Sequence, residues 1–543
     1  MKNNLFFIIY IAILIAVESC NSIKEADTVF YNGTIYTVDS AFSKAQAFAV
    51  KNGKILAVGS NDEILKYKCI KKINLEGSPV FPGFIDAHCH FYHYAIDLRK
   101  IWLGGSKSFD EVIDTIIRRK DQLFMGWLYA RGWDQNDWHI KKYPEKSKLD
   151  QLFPDIPVFL MRIDGHAALV NQKALDLAGI TESTKINGGE VVIENGKLTG
   201  LLIDNAVDLV KNKIPEPTDL AESEALMDAQ KNCFAVGLTT VDDAGLNVNE
   251  INLLNSLQKR GSLKMRIYAM AMYDSSNAAY FFKRGKLKTE RLHVCSFKIY
   301  ADGALGSRGA TLLQPYSDRI NHHGFLLHDI DSLKIAAQEI AAHDFQLNSH
   351  CIGDSANRIM LQIYHQALKG KNDHRWRIEH AQVVALEDVK LFKNDHIIPS
   401  IQPTHATSDM YWAEERLGAE RVKTAYAYKK LFEQNNMVAS GSDFPVEDIN
   451  PLFGFYAAVT RKDQHNFPPG GFQMENALNR EEALKAMTIW AAFANFEEQE
   501  KGSIEKNKFA DFVILDDDIM TCKAEKIYTI KVKNTYVNGE KVN

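Results

Sequence analysis

Apolar residues fall along this chain in three kinds of run. Near both ends they alternate with polar ones. "ADTVFYNGTIYTVD" and "AFAVKNGKILAVGS" are broken by Asn-Gly and Asn-Gly-Lys, the pattern of strands joined in hairpins. "ADFVILDDD" and "IYTIKVKNTYVNGEKVN" repeat it at the far end. Chain ends often lie close together, so residues 26–80 and 503–543 are predicted to form one small β-sandwich domain. In the middle, eight runs are nearly continuous: "GFIDAHCH", "GLTTVDDAG", "KMRIYAMAMYD", "SFKIYADGA", "FQLNSHCIGD", "RWRIEHA", "HIIPSIQPTH" and "MVASGSDFP". Strands of a parallel sheet buried on both faces read this way. Helical stretches such as "SLKIAAQEIAAHD" and "DSANRIMLQIYHQALKG" lie between them. The expectation is an α/β fold, a (β/α)8 barrel over residues 81–104 and 233–502.

The interval from His90 to Gly237 is far longer than one βα unit, which takes about 30 residues. It carries its own strands, "IPVFLMRIDGHAALVN" and "EVVIENGKLTG", and the tryptophan-rich "GWLYARGWDQNDW". Residues 105–232 are therefore expected to form an inserted α/β subdomain over the barrel mouth, since a structureless loop of that length is unusual.

The third kind of run is N-terminal. Leu5 to Val17 is apolar after a single lysine, too short for a membrane span of about 20 residues and right for a signal-peptide core. Residues 1–20 are read as a signal peptide. Ser19 before Cys20 resembles a bacterial lipoprotein cleavage site, although Glu18 is unusual there. Ordinary cleavage and a retained N-terminal anchor are the alternatives. The expected location is the cell envelope of a bacterium, as a periplasmic protein or one tied to the membrane by lipid on Cys20. The net charge of −5 and the lack of a basic stripe give no reason to expect nucleic acid. Apart from Cys20, six scattered cysteines with no CxxC pair read as buried thiols. The sequence is compatible with a homo-oligomer.

Polar residues recur where the apolar strands end, and barrel active sites form at C-terminal strand ends. The first strand ends in His88-Cys89-His90, the fourth carries Lys298, the fifth ends in His350, the sixth in His380 and the eighth in Asp443. On a strand, His88 and His90 share one side and Cys89 takes the other. Imidazoles from several strands suit zinc or another transition metal better than magnesium or calcium. A lone histidine or lysine at a strand end is ordinary; five strands converging on this residue set are not. His93 lies off the strand alternation and is not assigned to the metal.

These residues, with the framing β-pieces, "PGFIDAHCH" and the closing "GSIEKNKFADFVILD", resemble the amidohydrolase superfamily of metal-dependent hydrolases. "ARGWDQNDW", "DGHAALVN", "LTTVDDAG", "KIYADGALGSR", "HCIGDSA", "RIEHAQ", "QPTHATSD" and "GSDFPVE" narrow the resemblance to the branch of N-substituted formamide deformylases and related amidohydrolases. The resemblance spans residues 26–543. It implies a binuclear site, with His88, His90 and Asp443 on the buried metal, His350 and His380 on the other, and Lys298 bridging two Zn2+ as an N-carboxylated lysine. A mononuclear site with unmodified Lys298 is the alternative. The implied reaction is hydrolysis of a non-peptide C–N bond, an amide or an N-formyl or N-acyl amine, by a metal-activated water, with Asp443 as metal ligand and proton shuttle. Cyclic amides or esters on the same site are a second reading. A non-catalytic ligand-binding lipoprotein is a third, and a Schiff-base lyase using Lys298 a fourth.

Candidate substrate contacts are His166, Asp302, Arg308 and His405. Each could equally be structural. Glu379 and Asp354 are candidates for holding the ligand imidazoles in one tautomer. Adjacent strand residues point oppositely, so Glu379 would have to act on a ligand other than His380 or on the packing layer. Trp127, Trp133 and Trp138 either line an apolar pocket or pack the inserted subdomain.

Overall fold

The computed structural model describes residues 25–370 and 374–543; the leader and Cys20 lie outside them. Eight strands form the centre: β1 Phe84–Cys89, β2 Leu238–Leu246, β3 Arg266–Met272, β4 Leu292–Tyr300, β5 Gln346–Cys351, β6 Arg377–His380, β7 Ile398–Ile401 and β8 Ala439–Ser440. They pair in parallel in that order. The segment after β8 returns to β1. Asp443 N donates to His88 O at 2.7 Å, and His90 N donates to Phe444 O at 2.8 Å. Gly441 permits the approach, because a Cβ there would stand 2.3 Å from His88 N. The result is a nearly closed TIM-like barrel built from the eight apolar runs.

Each crossover helix lays an apolar stripe on the sheet. In Ile330–Ala342 the buried positions are Leu333, Ala336, Ala337 and Ile340, the spacing of one helical face. Asp329 caps that helix by accepting from Ser332 N at 2.8 Å.

Both chain ends contribute to a pair of sheets beside the barrel. One contains Glu25–Tyr31, Ala47–Lys51, Lys54–Gly59 and Lys68–Asn74. The other joins Thr34–Tyr36 and Pro79–Pro82 to the C-terminal strands Phe512–Leu515 and Val532–Val537. Phe30 stacks on Phe48 at 4.8 Å, and Phe512 stacks on Tyr536 at 4.4 Å, filling the space between them. The hairpin expected at the first Asn-Gly does not form. The chain crosses there from one sheet to the other, with Asn32 at φ 60°. A Cβ on Gly33 would lie 2.6 Å from Leu75 Cδ1, so this corner needs glycine for closeness. Arg266 ties the end domain to the barrel through Asp511, with Nε to Oδ2 at 2.5 Å.

The insertion forms its own six-stranded sheet, from Ile101–Trp102 to Lys197–Asp204, with apolar clusters on both faces. Trp133 and Trp138 fill one cluster and Trp127 the other, and none of the three reaches the cavity described below. Helix Asp219–Ala235 buries Ala225, Leu226, Ala229 and Cys233 in the barrel's core cluster, so it packs with the barrel.

Candidate metal centre

The C-terminal strand ends meet in one buried cluster. β1 directs His88 and His90 to the same side, while Cys89 turns away, its Sγ 3.5 Å from Asp242 O. His88 Nδ1 lies 2.6 Å from Glu379 Oε2. Glu379 Oε1 accepts from Arg377 Nε at 2.7 Å. Burial opposes the charge of Glu379, but Arg377 and His88 hold its carboxyl well below the usual range. An ionised carboxylate only accepts, so the His88 proton sits on Nδ1 and Nε2 presents its lone pair. That lone pair faces Lys298 Nζ at 3.2 Å. Lys298 is fully buried, which pushes its amine down to about 8. Burial, helped by the Lys298 charge, pushes His88 down to about 4.

Asp443 lies at the centre of the cluster. Its Oδ1 is 3.3 Å from His90 Nε2 and 3.7 Å from His88 Nε2, and its Oδ2 is 3.6 Å from His405 Nε2. Burial opposes its charge, but His90, His88 and His380 hold the carboxyl well below the usual range. Asp443 and His380 both sit at positive φ, 65° and 74°, a conformation that costs a non-glycine residue about 1–3 kcal/mol. Asp86 braces this corner. It accepts from His88 N at 3.2 Å and Ser442 N at 3.0 Å, and Ser442 Oγ donates to its Oδ2 at 2.7 Å.

His350 and His380 pack with ring centroids 4.6 Å apart, and burial drives both well below the usual imidazole range. His350 Nε2, His380 Nδ1 and His405 Nε2 are buried and have no hydrogen-bond partner among the described residues. Each such atom costs about 1–3 kcal/mol if nothing compensates it. Neutral imidazoles with bare nitrogens around one ionised carboxylate fit a divalent transition metal. Two sets bring their ligand atoms within 4.8 Å of one another: His88, His90 and Asp443, and His380, His405 and Asp443.

The comparisons with known proteins decide the lineage. The model of the Amidohydrolase family matches residues 71–543. The chain belongs to the amidohydrolase family. It is 33% identical to Protein LONG AFTER FAR-RED 3 of Arabidopsis thaliana, over 95% of this chain and 91% of that one. It is 27% identical to the N-substituted formamide deformylase of Arthrobacter pascens, over 94% of this chain and 97% of that one. An uncharacterized metal-dependent hydrolase from Pyrococcus horikoshii OT3 has a similar crystal structure, with TM-score 0.75 and 26% identity, covering 92% of this chain and 99% of that one. This amidohydrolase is thus a hydrolase of small molecules, with histidine and aspartate groups that could hold a metal.

A cavity of about 740 Å³ opens above the cluster, lined by His90, His350, His380, His405 and Asp443 from the barrel and by Arg162, His166 and Asp204 from the insertion. His405 both lines the cavity and stands with the possible ligands. Strand alternation misses it because it follows β7 on helix Pro403–Asp409. His166 lines the cavity, its Nδ1 2.6 Å from Asp204 Oδ1. Burial alone would lower it, but the hydrogen bond and charge of Asp204 carry it up to about 9. Asp302 does not line the cavity. Its carboxylate accepts from Thr311 N, Ile352 N and Gly353 N at 2.8–3.0 Å, which fixes the loops after β4 and β5. Arg308 does not line it either and pairs with Asp318, Nη2 to Oδ2 at 2.8 Å. Asp354 accepts from Leu313 N at 2.8 Å and holds no imidazole. His93 lines the cavity outside both ligand sets. Sequence reasoning passed over Arg377, Asp86 and Asp204, each of which has a partner far away in the chain: Ala87 for Arg377, Ser442 for Asp86 and His166 for Asp204.

Proposed function

We propose that this amidohydrolase cleaves a non-peptide C–N bond, in an amide or an N-formyl or N-acyl amine. The observation that carries the reading is the convergence of bare, buried imidazole nitrogens on the ionised Asp443 at the floor of a cavity. His88, His90 and Asp443 would hold one zinc ion. His350 and His380 would hold a second, with His405 close enough to Asp443 to join them. When bound, such ions supply Lewis acidity toward the carbonyl and the attacking water. Asp443 takes the proton of that water and returns it to the leaving amine. Lys298, with Nζ 3.2 Å from His88 Nε2, would join the ligands as an N-carboxylated side chain. Addition of CO2 to its neutral amine forms the N–C bond, releases a proton and leaves a carbamate anion. Burial, which favours the neutral amine, supports this. Likeness to an N-substituted formamide deformylase supports the formamide class. The leader supports export to a bacterial cell envelope, with lipid on Cys20.

The test is a panel of N-formyl amines, N-acyl amino acids, cyclic amides and esters, offered to zinc-loaded protein carrying about two ions per chain. Turnover of the open-chain amides supports the reading. Cleavage of cyclic amides or esters alone would replace it with the second one. His88→Ala, Lys298→Ala and Asp443→Ala should each abolish turnover. Undiminished activity in Asp443→Ala would refute the shuttle.

A further inference from the structure

The inserted subdomain does more than roof the cavity. His166 is pinned by its backbone, its N–H donating to Asp164 Oδ1 at 3.0 Å and its carbonyl accepting from Asp204 N at 2.8 Å. Its ring is aimed by the 2.6 Å contact between Nδ1 and Asp204 Oδ1. Asp204 ends the strand Lys197–Asp204 at φ 49° and ψ −125°, a conformation that non-glycine residues rarely hold. Strain of this kind costs about 1–3 kcal/mol and gathers at functional sites.

The barrel is shaped to receive this carboxylate. A Cβ on Gly303 would lie 2.5 Å from Asp204 Oδ1, and one on Gly309 would lie 2.2 Å from Oδ2. Two glycines of the loop after β4 thus leave room for a side chain from another subdomain. The Asp204 oxygen that does not meet His166 makes no hydrogen bond among the described residues. The carboxylate is therefore not consumed by structural contacts, and His166 is the side chain it orients. On the other side of the ring, Nε2 has no partner among the described residues, and His166 lines the cavity. Its ring centroid is 5.3 Å from that of His350 and 6.5 Å from that of Tyr300. His350 packs on His380 in turn, His380 shares a possible ligand set with Asp443, and His166 and Asp443 both line the cavity.

We propose that His166 is a catalytic residue delivered by the insertion, its Nε2 hydrogen-bonding the substrate's carbonyl oxygen as charge develops there, with Asp204 as its positioning residue. The proposal rests on the hydrolytic reading above. In that reaction the water oxygen bonds to the carbonyl carbon while the C=O π pair moves onto the carbonyl oxygen. The water's proton passes to Asp443. The pair then returns, the C–N bond breaks, and the amine leaves with the proton from Asp443. Asp443 serves the proton and the nitrogen, and His166 serves the oxygen.

A purely structural pair would only clip the insertion to the barrel. Zinc-loaded full-length protein separates the two roles, using His166→Ala, His166→Gln and Asp204→Asn on whichever panel substrate wild type turns over fastest. In His166→Ala, kcat should fall by about 100-fold with KM nearly unchanged, the effect of losing one oxyanion donor. His166→Gln keeps an N–H and is the variant safest for folding; it should recover about ten-fold of that loss. Asp204→Asn should fall in between. Zinc content should match wild type in all three. A second measurement needs no turnover: a phosphonate analogue of the tetrahedral intermediate should bind about 100-fold more weakly to His166→Ala by calorimetry. A kcat loss under about three-fold, or unchanged phosphonate binding, overturns the assignment of His166. Absence of any wild-type turnover overturns the hydrolytic reading instead, and the phosphonate result then decides His166 alone.

Discussion

Arg377 and His380 lie on the same short strand, β6, and both are buried, yet they meet the cost of burial in opposite ways. Arg377, at the strand's start, spends every donor. Nε goes to Glu379 Oε1 at 2.7 Å, Nη1 to Asp242 Oδ2 at 3.1 Å and Asn495 Oδ1 at 3.2 Å, and Nη2 to Ala87 O and Ser400 Oγ. A guanidinium has five N–H groups, and all five are used. His380, at the strand's end, leaves Nδ1 bare. The layer beneath the cluster is closed to anything outside the chain, whereas the layer at the mouth is built for something the chain does not supply. Burial alone would mark both residues as functional. The state of their hydrogen bonds separates the scaffold from the site.

The largest effect should come from breaking the closed layer. Arg377→Met strands Asp242 and Glu379 as buried charges, and removal of one partner from such a network costs about 3–5 kcal/mol. Chemical denaturation measures it. In metal-free protein, His380→Ala removes an atom that was never satisfied and should cost no more than about 1 kcal/mol beyond the lost packing. Equal destabilisation by the two would erase the distinction between the layers.

Glu379 joins those layers and gives the next effect. One oxygen accepts from Arg377 and the other meets His88. Glu379→Gln has one acceptor oxygen for two donors, so it must leave either Arg377 or His88 without its partner. If the amide oxygen stays with Arg377, its NH2 faces Nδ1 and forces the other tautomer of His88. Metal affinity, read by competition with a chromogenic chelator, should weaken about 10–100-fold while the fold persists. Unchanged affinity would mean that Glu379 belongs to the closed layer alone.

The same contrast explains how much the sequence revealed. The eight barrel strands were readable because burial on both faces writes continuous apolar runs. His88, Lys298, His350 and His380 fall on strands, where alternation turns spacing into direction, whereas His90 lies one residue past β1 and Asp443 three past β8. His405 lies on a helix where that rule does not apply; it lines the cavity, as a substrate contact would, and its Nε2 is also 3.6 Å from Asp443 Oδ2. Arg308 and Asp302 were offered as substrate contacts because they follow the lysine strand, but Asp318 and three backbone N–H groups take them up. The Arg377 network and the Asp204–His166 pair left no local signature. Arg377 meets Ala87 across 290 positions, and His166 meets Asp204 across 38. Such contacts exist only once the fold has brought the strands together.

The smallest effect tests whether the lower layer is electrostatic. His293, near the start of β4, lies with Nδ1 3.4 Å from Glu497 Oε1, and Lys501 Nζ meets Glu497 Oε2 at 2.6 Å. Burial would lower this histidine, but Cys295 and Glu497 carry it up to about 9. A folded state that holds the proton more tightly than the unfolded chain is stabilised wherever that proton is bound. The gain is therefore full below the unfolded value of about 6.5 and is lost as pH rises through about 9. Melting temperatures of wild type and His293→Gln should differ most near pH 6 and converge by about pH 10. A gap that stays constant with pH would show that His293 contributes packing and no charge.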